Sequence, residues 1–110
     1  MIEGEKILLI NCSYPNYNLA IEKMKVYYGG KAKEVRSIEH CILFNRIIDP
    51  FDGVWLSVIF SWDVPIAIRE AKIALDLGKK VMIGGGGSYY VRHLIKSETG
   101  IDAVYRPVDA

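Results

Sequence analysis

With 110 residues the chain has room for one domain and not for two. It is 51% hydrophobic and 25% charged with a formal net charge of +1, which suits a packed core and leaves no electrostatic case for a nucleic-acid or membrane-surface partner. No apolar run approaches the ~20 residues that cross a bilayer, the N-terminus carries acids where a signal peptide is basic, and two cysteines make neither a disulfide framework nor a Cys-x-x-Cys pair, so a cytoplasmic protein with reduced thiols is expected.

Lys6–Cys12 (KILLINC) is a continuous apolar run, the pattern of a strand buried on both faces. The turn-forming SYPNYN follows. Leu19–Tyr28 then reads as a helix, with Leu19, Ile21, Met24 and Tyr28 on one face and Gly29-Gly30 at its end. Lys33–Ile38, preceded by Ala32, is a weaker strand near a sheet edge. His40–Ile48 fits a short helix or a strand, the helix being preferred, and Asp49-Pro50 closes it.

Gly53–Phe60 (GVWLSVIF) is the clearest strand, with no room for an exposed face. The next helix opens at Asp63, expected as its N-cap, with Pro65 in the first turn. Val64, Ala67, Ile68, Ala71, Ala74 and Leu75 form its apolar stripe; Arg69, Glu70, Lys72 and Asp76 are expected to face solvent, and Gly78 to end it. Lys80–Ile83 is a fourth strand running into the glycines. Ser88–Glu98 is a fourth helix with Ser88 as N-cap and Gly100 past its end, and Asp102–Arg106 is a fifth strand.

Five strands alternating with four helices predict an α/β domain with a parallel sheet, a three-layer flavodoxin-like arrangement in the order 2-1-3-4-5. Such sheets bind ligands beyond the C-terminal ends of their strands. That brings three loops together: Asn11–Asn18, Phe60–Asp63 and Gly84–Ser88.

Gly84, Gly85, Gly86 and Gly87 are neither a dinucleotide fingerprint nor a phosphate loop, because they follow the fourth strand and lack both spacings. Two readings stand: close backbone approach to a bulky ligand, with helix amides behind it at Ser88, or a turn that needs positive φ. Ser57 interrupts an apolar strand, so its hydroxyl must bond either a backbone group or a ligand. Asn11, Ser13, Asn16 and Asn18 crowd the first loop, where turn chemistry competes with ligand binding. Trp62, at a strand's C-terminal end, suits a pocket mouth. Tyr14, Tyr17, Tyr89 and Tyr90 suit a flat ligand or a partner surface. Cys12, Cys41, His40 and His93 have no metal-ligand spacing, and no serine or cysteine pairs with a base.

Three stretches resemble the N-terminal cobalamin-binding-like domain that precedes radical S-adenosylmethionine enzyme cores. They are KILLINCSYPNYNLAIEKMKVYYGGKAKEV, FDGVWLSVIFSWDVPIAIREAKIALDLGKKVMIGG and TGIDAVYR, together most of the chain. Cobalamin modules of methyltransferases and mutases carry Asp-x-His-x-x-Gly, then Ser-x-Leu, then Gly-Gly. Here Asn11 takes the place of the aspartate, Ser13 of the histidine and Asn16 of the glycine; Ser57-Val58-Ile59 takes the Ser-x-Leu place and Gly84-Gly85 the Gly-Gly place. The resemblance implies a cofactor site built from Asn11, Ser13, Asn16, Ser57, Trp62 and Gly84–Ser88, with cobalamin held without a histidine on cobalt. It implies an accessory module, not catalytic alone. S-adenosylmethionine and a 4Fe-4S cluster would belong to a parent chain beyond Ala110, since the two cysteines here cannot hold such a cluster. The expected partners are a small-molecule ligand or the catalytic core. The alternatives are an empty-pocket domain serving substrate access or homodimerisation, and a stand-alone nucleotide- or flavin-binding protein.

Overall fold

The computed structural model describes residues 6–43, 48 and 50–105. Four parallel strands, β1 (Ile7–Asn11), β2 (Ala32–Val35), β3 (Gly53–Ser57) and β4 (Lys80–Gly84), form one sheet in the order β2-β1-β3-β4. The helices are α1 (Leu19–Tyr28), α2 (Ile38–Leu43), α3 (Val64–Asp76), α4 (Gly86–Tyr90) and α5 (Arg92–Thr99), with short 3-10 turns at Gly29–Lys31 and Ser61–Asp63. The central strands β1 and β3 are apolar on both faces, whereas edge strand β2 exposes Lys33 and Glu34.

The two sheet faces are covered unequally. Leu8, Ile10, Val54, Leu56 and Ile83 pack against α2, α3 and α5 through Ile38, Cys41, Val64, Ala67, Ala71, Ala74 and Ile95. On the other face Ile7, Leu9 and Trp55 pack against α1 through Ile21, Met24 and Tyr28, with Met82 and Val104 only partly covered. Among the described residues α1 is the one helix on that face. Each fully buried Val, Leu, Ile or Met side chain in these layers contributes on the order of 1.5–3 kcal/mol.

The fifth strand expected over Asp102–Arg106 is reduced, among the described residues, to one bridge between Gly84 and Val104; Arg106 lies outside them. Val104 donates to Ile83 O at 3.0 Å and accepts from Gly85 N–H at 3.2 Å. The ladder ends there because β4 stops at Gly84 and the chain turns at Gly85. The fourth predicted helix is two. Val91, at φ −117° and ψ 36°, leaves the helical region, and the guanidinium of Arg92 donates to Tyr89 O at 3.1 Å across the break.

Other expectations shift locally. The second strand ends at Val35, because Ser37 Oγ accepts His40 N–H at 2.8 Å and starts α2. The helix expected to run to Ile48 is described to Leu43; residues 44–47 lie outside the described residues. Asp63 precedes α3 without a side-chain cap bond. Glu70, expected in solvent, is fully buried, while Leu19 and Leu75, expected in apolar stripes, are exposed. Gly29, Gly78 and Gly100 take positive φ at helix ends as expected.

Candidate functional site

The parallel register aligns Asn11, Ser57 and Gly84 as one row across the C-terminal end of the sheet. Asn18, the N-cap of α1, closes over this row. Its amide nitrogen donates to Ser57 Oγ at 3.0 Å and Asn11 Oδ1 at 3.1 Å, and its Oδ1 accepts Ile21 N–H at 3.4 Å. Ser57 Oγ returns a bond to Asn18 Oδ1 at 3.2 Å. Both side chains are buried, which strengthens the bonds and makes leaving them unmade costly.

The loop after β1 uses its polar groups in the same inward way. Asn11 Nδ2 donates to Asn16 O at 2.8 Å, and Asn11 Oδ1 accepts Ser13 N–H at 3.0 Å. Asn16 Nδ2 donates to Ser13 O at 2.9 Å. Ser13 Oγ, itself buried, accepts the N–H groups of Ile59 at 2.9 Å and Phe60 at 3.4 Å. The loops after β1 and β3 are therefore fastened to each other.

Three of the four glycines are explained by contacts inside the protein. A Cβ on Gly84 would lie 2.6 Å from the Trp55 ring, and one on Gly87 would lie 2.5 Å from the Phe60 carbonyl carbon. Gly85 has φ +103°, and a Cβ there would collide with the Val58 carbonyl. Gly86 alone has open space where a side chain would start. The tract draws the start of α4 against the backbone after β3, with Gly87 N–H bonded to Val58 O at 3.2 Å. Ser88 is not the N-cap of this helix. It lies inside α4, buried, and its hydroxyl donates to Gly85 O at 2.8 Å.

A groove of about 850 Å³ opens beside this turn. One wall is α1, through Ala20, Lys23, Met24 and Tyr27; the other is Ser57–Ile59, Gly85, Gly86 and Tyr105, with Tyr17–Leu19 at one end. It exists because, among the described residues, α1 leaves the β3–β4 side of its sheet face uncovered. Of the expected site residues, the groove brings together Ser57, Gly85 and Gly86. Asn11, Ser13, Asn16, Gly84, Gly87 and Ser88 do not line it. Trp62 is exposed and stacked on Phe60, with ring centroids 4.6 Å apart, and does not line the groove. The α1 wall and Tyr105 were not foreseen. The recurrence of positions 20, 23, 24 and 27 on one helical stripe was the signal available for α1. Nothing in the sequence around Tyr105 marks its place.

A smaller cavity of about 360 Å³ lies on the opposite sheet face, between the end of β1, the start of α2 and α3. Asn11 and Cys12 reach it, with Tyr14, Arg36, Arg69 and Glu70. The Arg36 guanidinium lies 3.9 Å from the Tyr14 ring centroid. Glu70 Oε2 accepts Ile38 N–H at 3.1 Å, while Oε1 has no hydrogen-bond partner among the described residues and is 4.0 Å from Arg69. Burial raises the Glu70 carboxyl above its ordinary value, although the backbone of Glu39, the Ser37 hydroxyl, Ile38 N–H and Arg69 oppose the shift. Burial, then the charges of Glu70 and Asp63, push the Cys12 thiol up to about 12, so it stays protonated at neutral pH.

Among the described residues no group of three or more His, Cys, Asp or Glu side chains is placed to hold a metal ion. No helix among them is long and apolar enough to cross a membrane. No family model matches the chain, and no curated protein or solved structure matches it either.

Proposed function

We propose that this chain is a ligand-binding module that takes an organic ligand with a ring system into the groove between α1 and the Gly85–Gly86 turn, with cobalamin as the first candidate. The groove itself carries the reading. Its volume of about 850 Å³ is in the range of small-molecule sites, and it sits at the C-terminal strand ends, where parallel α/β sheets place ligands. The strand order β2-β1-β3-β4 supports a flavodoxin-like domain of the kind that precedes radical S-adenosylmethionine cores. The module would then be an accessory part of such an enzyme.

The fit to cobalamin is divided. Where cobalamin modules place their histidine, Ser13 spends its hydroxyl on two backbone N–H groups, so this loop offers cobalt no nitrogen ligand. The organic parts of the cofactor fit better. Ser57 lines the groove and keeps a lone pair beyond its bonds to Asn18, and Gly86 leaves the wall bare for a ring to lie against. Bound cobalamin would supply its own cobalt chemistry, while this chain would hold and orient its organic periphery.

A second reading rests on a separate observation. Asn11, Ser13, Asn16, Asn18 and Ser57 already bond one another or the backbone, and Leu19, Val26 and Tyr105 expose apolar surface nearby. This suits an empty-pocket domain that docks on a catalytic core or on a second copy. One experiment separates the two. The purified chain is mixed with hydroxocobalamin and desalted, and its visible spectrum is recorded beside that of Gly86→Phe. Colour retained by the native chain and lost from the variant supports the ligand reading. A colourless native chain that dimerises with concentration in sedimentation supports the docking reading.

A further inference from the structure

The groove is apolar along most of its length but carries one charge. Ala20, Lys23, Met24 and Tyr27 follow one another at helical spacing along α1, and all four line it. Lys23 is the only charged side chain among the described residues that line it. The lysine on the other stripe of α1 is already paired: Lys25 bridges Glu22 at 3.1 Å and Glu34 of β2. Among the described residues Lys23, which is exposed, has no ion pair or hydrogen bond, and no carboxylate lines the groove with it. An ammonium beside an apolar wall attracts an anion more strongly than one surrounded by water.

We infer that the groove selects ligands carrying an anionic group and that Lys23 is the residue that reads it. The ligand class is a flat ring system bearing a phosphate. Met24 and the faces of Tyr17, Tyr27 and Tyr105 take the ring, and Lys23 takes the phosphate. The volume exceeds what a simple carboxylic acid would fill and leaves room for a ring joined to a phosphate by a short linker. This inference rests on the ligand-binding reading above.

Flavin mononucleotide and riboflavin test it, because they differ by one phosphate. Fluorescence titration of the native chain should give about tenfold or tighter binding for the phosphorylated flavin, the scale of a charge-assisted bond. That advantage should shrink as salt is raised. Lys23→Gln should bring the phosphorylated flavin down to the riboflavin level, and Lys23→Arg should retain much of the difference. Equal affinities in the native chain overturn the inference, as does an advantage that survives Lys23→Gln. Binding of neither flavin at millimolar concentration also overturns it. In that case the hydroxocobalamin assay still reports whether the groove binds a ring at all, so the two failures are told apart.

Discussion

Gly85 and Gly86 are neighbours with opposite constraints. Gly85 combines a positive φ with a Cβ direction blocked by Val58, whereas Gly86 has neither restriction. Gly85→Ala should therefore cost roughly 2–4 kcal/mol from backbone strain and displacement of the strand end. Gly86→Ala should be neutral or stabilising by up to about 1 kcal/mol, because it restricts the unfolded chain. Urea denaturation of the two variants measures both. At this scale the sequence marked the tract as unusual but left turn and binding as rival explanations. Neighbours remote in sequence assign the roles: Trp55 fixes Gly84, Val58 fixes Gly85 and Phe60 fixes Gly87. The same holds at Ser57, whose partner Asn18 lies 39 residues away. A buried hydroxyl demands a partner, but its spacing in the sequence does not name one.

Helix α2 is short and depends on its neighbours. Its first turn is fastened by Ser37 and by Glu70, which reaches from α3 to Ile38 N–H. Periodicity placed Glu70 outside because it flanks the Ala67–Ala71–Ala74 stripe. The structure turns it inward because α2 packs across that flank and presents a backbone donor there. The raised Glu70 pKa means that folding favours the protonated form. This contribution to stability is fully present below the ordinary value of 4.5 and is lost as pH rises through the higher folded value. Glu70→Gln keeps an acceptor for Ile38 N–H and removes the titration. Its stability relative to the native chain should rise across that window and stay level below it. Denaturant midpoints at a series of pH values check this, and a constant difference would remove Glu70 as the source. The break at Val91 was equally hidden, since positions 88 to 98 carry an acceptable helical pattern.

The arrangement of layers distinguishes Met82 from Ile83, adjacent residues of β4. Ile83 is buried against the three-helix face, and Met82 stands on the face where α1 is the one covering helix among the described residues. Ile83→Ala should cost about 2–4 kcal/mol, while Met82→Ala should cost about 1 kcal/mol because its site is already partly open. Equal losses in thermal or chemical unfolding would argue that the second face is closed in solution. The order of the first four strands was readable because continuous apolar runs alternate with helical periods, and crossovers of this length permit few topologies. The unequal covering was not readable. It follows from which side of the sheet each connection crosses, and residue periodicity is silent on that.

The glycine tract also bears on how such a protein can change over generations. Three of its positions are held by the fold's own backbone and rings, so drift there is punished by misfolding whatever the ligand. Gly86 escapes that penalty while forming part of the groove wall. A lineage can therefore alter the width of the groove by varying one residue, leaving the frame around it intact.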